Sequence, residues 1–229
     1  MQDINAYNNS EVKSTNPTLQ PNDILKITVG ALVPETAIPY NRINQTMVQT
    51  NTLEMMQLEG YLVSLAQTIS FPILGEISVA NKTIVQLETD LINRLETGGH
   101  LVSPSVNVRL LNAKVTLLGE VKKPGTYTFT ENNINLLQAF GLAGDLTING
   151  ERNDVVLIRE IDGIRTIAHL DLTQSNWLES PYYLIKPNDV IMVNPNGAKV
   201  KSAGFFGNPA SFVAIASLVL STIILINTL

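Results

Sequence analysis

Residues 115–129 read VTLLGEVKKPGTYTF, two strand-like runs on either side of a turn that is rich in glycine and proline. Val115 and Leu117 lead the first run, and Tyr127 and Phe129 mark the second. Hydrophobic runs around a turn of this composition predict a β-hairpin. The hairpin is the first element of a domain that continues toward the C-terminus.

The segment after this hairpin predicts one helix and a second hairpin. The helix is predicted over 134–143, with Asn132 or Asn133 as its N-cap. Strands are predicted over 154–159 and 165–172, joined by an Asp-Gly turn. A hairpin, a helix and further strands predict a small β-grasp domain.

The same three-residue phrase, Pro-Asn-Asp, precedes a hydrophobic strand at two distant points of the chain. It occurs in LQPNDILKITV at 19–29 and again in LIKPNDVIMV at 184–193. Proline fixes the backbone of such a turn, and Asn and Asp side chains cap it. We expect two equivalent strand entries rather than a binding site, because neither Asp23 nor Asp189 has an obvious chemical partner in the sequence.

The region before the hairpin predicts a domain in which a helix covers a sheet. The run ISFPILGEISV at 69–79 predicts two short strands around a glycine. Thr83 and Gln86 form a capping box, and Ile84, Leu87 and Leu91 recur at helical spacing. A half-buried strand is expected in SVNVRLL after the helix. The pattern between 31 and 68 is irregular and predicts no clear element.

The last 21 residues, 209–229, carry no charged side chain. A helix over this segment would rise roughly 30 Å, the thickness of the hydrocarbon core of a bilayer. A transmembrane helix is therefore predicted, in preference to a buried core helix. Its small and weakly polar residues form one stripe that is expected to pack against other helices or to face a pore. The stripe consists of Ala210, Ala214, Ser217, Ser221 and Thr228.

Composition excludes several classes of function. The 229 residues carry 15 Lys+Arg against 20 Asp+Glu, a net charge of -5, which argues against nucleic acid as a partner. The absence of cysteine excludes disulfides and thiolate metal sites. His100 and His169 stand alone, and the sequence has no catalytic or nucleotide-binding motif. We therefore expect no enzyme activity, no cofactor and no metal.

Several runs together carry a family resemblance. FPILGEISV, SPSVNVRLL, VTLLGEVKKPGTYTF, LLQAFGLAGDL and KPNDVIMV occur in this order and cover nearly all of residues 18–193. Together they resemble the polysaccharide export proteins of Gram-negative outer membranes. The resemblance implies a non-enzymatic, ring-shaped homo-oligomer that passes capsular polysaccharide or exopolysaccharide received from an inner-membrane copolymerase.

The same resemblance implies how the protein is attached to its membrane. It implies a lipoprotein with a periplasmic body and a C-terminal helix that crosses the outer membrane. Because the chain has no cysteine, an acylated residue would have to lie upstream of Met1. No N-terminal signal peptide is visible in the polar residues that follow Met1.

The predicted fold class is α+β. A β-rich export domain is followed by one β-grasp domain and a C-terminal transmembrane helix. Lys122 and Lys123, in the turn of the first hairpin, are predicted to contact a neighbouring subunit. The predicted segments are an extended arm over 1–17, the export domain over 18–112, the β-grasp domain over 113–194, a linker over 195–208 and the transmembrane helix over 209–229.

A second hypothesis makes the chain a monomeric, tail-anchored carbohydrate-binding or adaptor protein of the inner membrane. Lys199 and Lys201 lie just before the predicted span and would favour a cytoplasmic body under the positive-inside rule. Trp177, Tyr182 and Tyr183 could stack against sugar rings in either case. Packing under a loop is the more ordinary role for such aromatic residues.

Overall fold

The computed structural model describes residues 17–42, 52–131, 133–203 and 209–227. Within these residues the chain is α+β, with two sheet-containing domains that each enclose a hydrophobic core. The first domain contains strands β1 (Ile24–Gly30), β2 (Tyr61–Leu62), β3 (Thr68–Phe71), β4 (Gly75–Ser78) and β5 (Ser105–Leu110), and helices α1 (Pro34–Ala37), α2 (Leu53–Glu59) and α3 (Ile84–Thr97).

The first domain is a three-stranded antiparallel sheet with α3 packed against it. The strand order is β2-β1-β5, and Leu25 pairs with Leu110 where β1 meets β5. Leu25, Ile27 and Val29 alternate along β1 and point into the core. The strands β3 and β4 form a separate antiparallel hairpin. The predicted pair of strands around Gly75 is therefore confirmed.

The predicted capping box of α3 is also confirmed. The Thr83 hydroxyl accepts the N–H of Gln86, and the Gln86 side chain accepts the N–H of Thr83. Leu87, Leu91 and Leu95 of this helix are fully buried. In the irregular region before it, the structure places α1, α2 and a 3-10 helix at Ile38–Tyr40.

The second domain is a five-stranded mixed sheet with one helix. Its order is β10-β9-β12-β6-β7, in which β12 lies parallel to β6 and antiparallel to β9. The short strands β8 and β11 pair separately. The elements are β6 (Lys114–Gly119), β7 (Gly125–Thr128), β8 (Ile134–Asn135), α4 (Leu136–Leu142), β9 (Gly150–Ile161), β10 (Ile164–Leu170), β11 (Leu184–Ile185) and β12 (Val190–Pro195).

The predicted N-cap of α4 is wrong. The cap is Asn135, whose side chain accepts the N–H of Gln138 in a second capping box, and not Asn132 or Asn133. Ile134 pairs with Ile185 in the β8–β11 ladder, which holds this residue in a strand. The helix therefore begins two residues later than predicted.

The predicted linker over 195–208 is partly helical. Helix α5 (Gly197–Ala203) follows β12, and Lys199 of this helix forms an ion pair with Glu120. The Glu120 carboxylate also accepts the Thr147 hydroxyl at 2.7 Å. Helix α5, which follows the second domain, is thus held against that domain.

Helix α6 (Pro209–Asn227) comprises 19 residues. At about 1.5 Å per residue its rise is roughly 28 Å, slightly less than the roughly 30 Å of a hydrocarbon core. Within the described parts of the chain, no helix is both long enough and apolar enough to cross a membrane. The structure therefore confirms a helix in this segment and does not support the predicted transmembrane span over 209–229.

Candidate functional site

The two Pro-Asn-Asp phrases form turns with the same construction. Asn22 and Asn188 both adopt left-handed backbone conformations, with φ of 70° and 68°. In each turn the aspartate Oδ2 accepts the backbone N–H three residues earlier, at 2.8 Å in both cases. The prediction that they are equivalent strand entries is confirmed, because the turns lead directly into β1 and β12.

Asp189, in the second turn, forms a buried ion pair. Arg159 Nε lies 2.9 Å from Oδ1 of Asp189, and Arg159 Nη2 lies 2.7 Å from Oδ2. The two residues are 6% and 1% exposed. The same guanidinium also donates to the Leu184 carbonyl at 2.8 Å. The expectation that Asp189 has no partner is therefore wrong, and the signal for this pair was an arginine at the end of the hydrophobic run DVVLIR.

Asp23, in the first turn, is buried without such a partner. It is 4% exposed, and no ion pair joins it to any residue in the described ranges. Burial disfavours the charged carboxylate and raises the pKa of Asp23 from 3.8 to about 6, although the Gln20 N–H opposes this shift. The two turns thus share a geometry and differ in charge compensation.

Both turns border a cleft of about 380 Å³ between the two domains. The turn between β9 and β10 also borders it, and the side-chain Oε1 of Gln20 accepts the backbone N–H of Asp162 at 3.1 Å across the domain boundary. Each Pro-Asn-Asp turn contributes its proline and asparagine to the lining. Nothing in the local sequence pattern of the two turns indicates that they face one cleft.

The polar groups of the cleft leave a small negative charge at neutral pH, because the uncompensated Asp23 carboxyl, with its pKa of about 6, also lines the cleft. Glu160 is neutralised by Arg165, whose Nη2 lies 2.9 Å from Oε2 of Glu160. Asp162 and Lys186 contribute one charge of each sign to the lining. Burial lowers the pKa of Lys186, and the neighbouring Arg159 lowers it further. Such a lining disfavours an anionic ligand and suits an uncharged one that forms hydrogen bonds.

The amide groups of Asn22 and Asn188 are available for such bonds. Both residues are exposed, and neither side-chain amide is hydrogen-bonded to another residue of the described structure. An asparagine amide offers two donor hydrogens and an acceptor oxygen. The cleft therefore presents an equivalent, unused hydrogen-bonding group from each of its two turns.

A second recess, of about 360 Å³, shares Ile161 and Asp162 with this cleft. It is lined by Tyr182, whose ring centroid lies 5.3 Å from Cζ of Arg159. Trp177 is buried in the core of the second domain, and its ring lies 5.9 Å from that of Tyr183. Packing, the role favoured from the sequence, is thus what the structure shows for Trp177.

The residues predicted for subunit contacts lie far apart in sequence and in separate elements. Lys122 and Lys123 are exposed, and their backbone N–H groups donate to the carbonyls of Asp145 and Ala143. Ser221 of α6 donates its hydroxyl to the Ser217 carbonyl at 2.5 Å. The side chains of Ala210 and Ala214, and all of Thr228, lie outside the described residues.

The two histidines have local contacts. His169 Nδ1 lies 2.5 Å from Oδ1 of Asp154 on the exposed β9–β10 hairpin, and the His100 ring contacts Tyr40 edge to face. In the portion of the chain that the structure describes, no group of three or more His, Asp or Glu side chains could hold a metal ion.

In a comparison with known protein families, each of the two domains matches a different family. Residues 11–111 match the family described as polysaccharide biosynthesis/export protein, and residues 114–165 match the SLBB domain. The boundary between the two matches lies between the first sheet and β6, where the structure separates the domains.

Two relatives bear the name EPS I polysaccharide export outer membrane protein EpsA. The protein from Ralstonia solanacearum is 24% identical over 188 residues, which is 80% of this chain and 49% of the relative. The protein from Ralstonia nicotianae is 26% identical over 140 residues, which is 59% of this chain and 36% of the relative. The matched part of this chain thus spans half or less of each relative.

Proposed function

We propose that this chain, which belongs to the polysaccharide biosynthesis/export protein family, is a non-enzymatic subunit of an outer-membrane apparatus that exports capsular polysaccharide or exopolysaccharide. The observation that carries the proposal is the direct succession of the two matched domains along one chain, each with its own core. The names of the two Ralstonia relatives support both polysaccharide as the exported substrate and the outer membrane as the location.

The proposal includes assembly into a homo-oligomeric ring with a periplasmic body. A ring gives an extended polymer a continuous path, which a single subunit of two small domains does not enclose. The small-residue stripe of α6 is proposed to pack against copies of itself, because small side chains let helix backbones approach closely. The exposed pair Lys122 and Lys123 is proposed to meet an acidic surface of the next subunit.

Transport through this subunit is proposed to be passive. Energy and gating would come from an inner-membrane polysaccharide copolymerase, since the sequence contains no motif that could bind or split a nucleotide. The second domain, as a β-grasp module, would have a structural role and provide a contact surface. Attachment as a lipoprotein belongs to the same proposal.

Complementation of a strain that lacks this gene tests the proposal. Expression of the chain is expected to restore surface polysaccharide, to place the protein at outer-membrane density and to give a detergent-stable oligomer by native mass spectrometry. A monomer at inner-membrane density, with surface polysaccharide unchanged by the deletion, would instead favour the tail-anchored adaptor.

A further inference from the structure

The two Pro-Asn-Asp turns face one cleft and present the same groups to it. Pro21 and Pro187 contribute apolar rings, and Asn22 and Asn188 contribute amides that the described structure leaves without hydrogen-bond partners. A ligand that bound here would therefore meet two equivalent apolar surfaces and two equivalent hydrogen-bonding groups. A polymer of repeated units matches such a lining, because it presents the same groups more than once.

The volume and position of the cleft are those of a ligand site. Its volume of about 380 Å³ lies within the roughly 300–1,000 Å³ typical of small-molecule sites, which occur preferentially between domains. The turns that border it are held rigidly, since each is closed by the aspartate hydrogen bond and each leads into a sheet. The backbone that carries the binding groups is thus ordered before a ligand arrives, which limits the entropy lost on binding.

The chemistry of the lining selects the kind of ligand. The ring faces of a sugar are largely apolar C–H groups, and its rim carries hydroxyls that donate and accept hydrogen bonds. Prolines and amides complement these two features. The charges of Asp162 and Lys186 offset each other, Arg165 compensates Glu160, and the remaining Asp23 carboxyl disfavours an anionic ligand.

We infer that the cleft between the two domains binds a short, uncharged stretch of a saccharide chain through Asn22 and Asn188. The inference rests on the proposed function for its ligand class, and it adds a binding site on the chain itself. The site would hold the polymer at the junction of the domains, where Gln20 and Asp162 are hydrogen-bonded.

Asn-to-Gly substitutions test the site with little risk to the fold. Glycine accepts the left-handed conformation of both turns, so Asn22→Gly and Asn188→Gly remove the amide and keep the backbone. Asn81→Gly is the matched control, because Asn81 also has a positive φ, of 58°, and does not line the cleft. Thermal unfolding of each variant checks that the fold is retained.

The probes are maltohexaose and chitohexaose, which are uncharged, and hexagalacturonate, which is anionic. At least one uncharged probe is expected to shift the side-chain amide resonances of Asn22 and Asn188 in NMR spectra of the 229-residue chain. Each single substitution is expected to raise the dissociation constant about 3- to 10-fold, and the double substitution more, as for loss of ordinary hydrogen bonds. Asn81→Gly should bind like the original chain.

Three results would overturn the inference: no shift with either uncharged probe, unchanged binding by the double variant, or tighter binding of hexagalacturonate than of both uncharged probes. Export in cells separates this inference from the proposed function. Suppose that the original chain restores surface polysaccharide and that the double variant binds saccharide as tightly as the original chain. The proposed binding site is then wrong, and the export function stands. If the original chain does not restore export, the proposed function itself fails.

Discussion

Asp23 is a buried carboxyl group whose charge no other residue of the described structure compensates. Because its pKa is raised from 3.8 to about 6, the folded protein binds a proton more tightly than the unfolded chain does. Its contribution to stability is therefore fully present below about pH 4 and is lost as the pH rises through about 6.

The variant Asp23→Asn should remove this pH dependence. Its amide oxygen can still accept the Gln20 N–H, so at pH 7.5 we expect the variant to exceed the original chain in unfolding free energy by about 1–3 kcal/mol. Urea denaturation between pH 4.5 and 8 measures the effect. The control is Asp162→Asn, an exposed carboxyl at the same cleft. A less stable Asp23→Asn protein at pH 7.5 would contradict the argument.

Arg159 and Asp189 differ from Asp23 in that they form a buried ion pair, in which the two charges compensate each other. Arg159→Met leaves the Asp189 carboxylate buried and unpaired, which costs about 3–5 kcal/mol of unfolding free energy. The matched control is Arg165→Met, which breaks an exposed pair and should change stability by about 0.5 kcal/mol or less. Equal denaturation midpoints for the two variants would show that the buried pair contributes no more than the exposed one.

At the scale of elements, Gly119 determines how closely β6 can approach β12. Its φ is 80°, and a Cβ at this position would lie 2.1 Å from the Val193 carbonyl oxygen. Strand β12 is inserted between β6 and β9, so this contact lies within the central sheet of the second domain.

Gly119→Ala is therefore expected to cost at least about 2 kcal/mol, from the left-handed backbone and the backbone clash together. Gly163→Ala provides the comparison, since Gly163 has φ of 75° and no heavy atom near its would-be Cβ. This control should lose only about 1 kcal/mol. Chemical denaturation compares the two, and a similar loss in both would mean that the sheet adjusts to the added methyl group.

At the scale of the whole molecule, the proposed ring requires contacts between subunits. Lys122 and Lys123 form an exposed pair on a turn in which Pro124 fixes the backbone. Exposed ion pairs contribute at most about 1 kcal/mol each, so a single substitution should have little effect.

Reversal of both charges, Lys122→Glu with Lys123→Glu, should weaken assembly most at low salt, where screening is least. Native mass spectrometry at two ionic strengths measures the assembly. The charge-matched control is the double variant Lys26→Glu and Lys114→Glu, which changes two other exposed lysines. Normal assembly of the Lys122/Lys123 variant at low salt would place this turn away from the subunit contact.

The sequence alone determined the elements that depend on near neighbours. The capping box of α3, the strands around Gly75 and the β9–β10 hairpin all follow from residues a few positions apart, because helix caps, side-chain periodicity and tight turns are local interactions. The charge balance and the order of the two family-like segments were likewise readable without coordinates.

The tertiary structure decided what depends on distant residues. Arg159 reaches Asp189 only because β12 lies beside β9, and Asn22 and Asn188 border one cleft only because the two domains pack together. The N-cap of α4 is Asn135 and not the predicted residue for the same reason, since pairing with β11 holds Ile134 in a strand. Periodicity along a chain specifies which face of an element is buried, but not which element covers it.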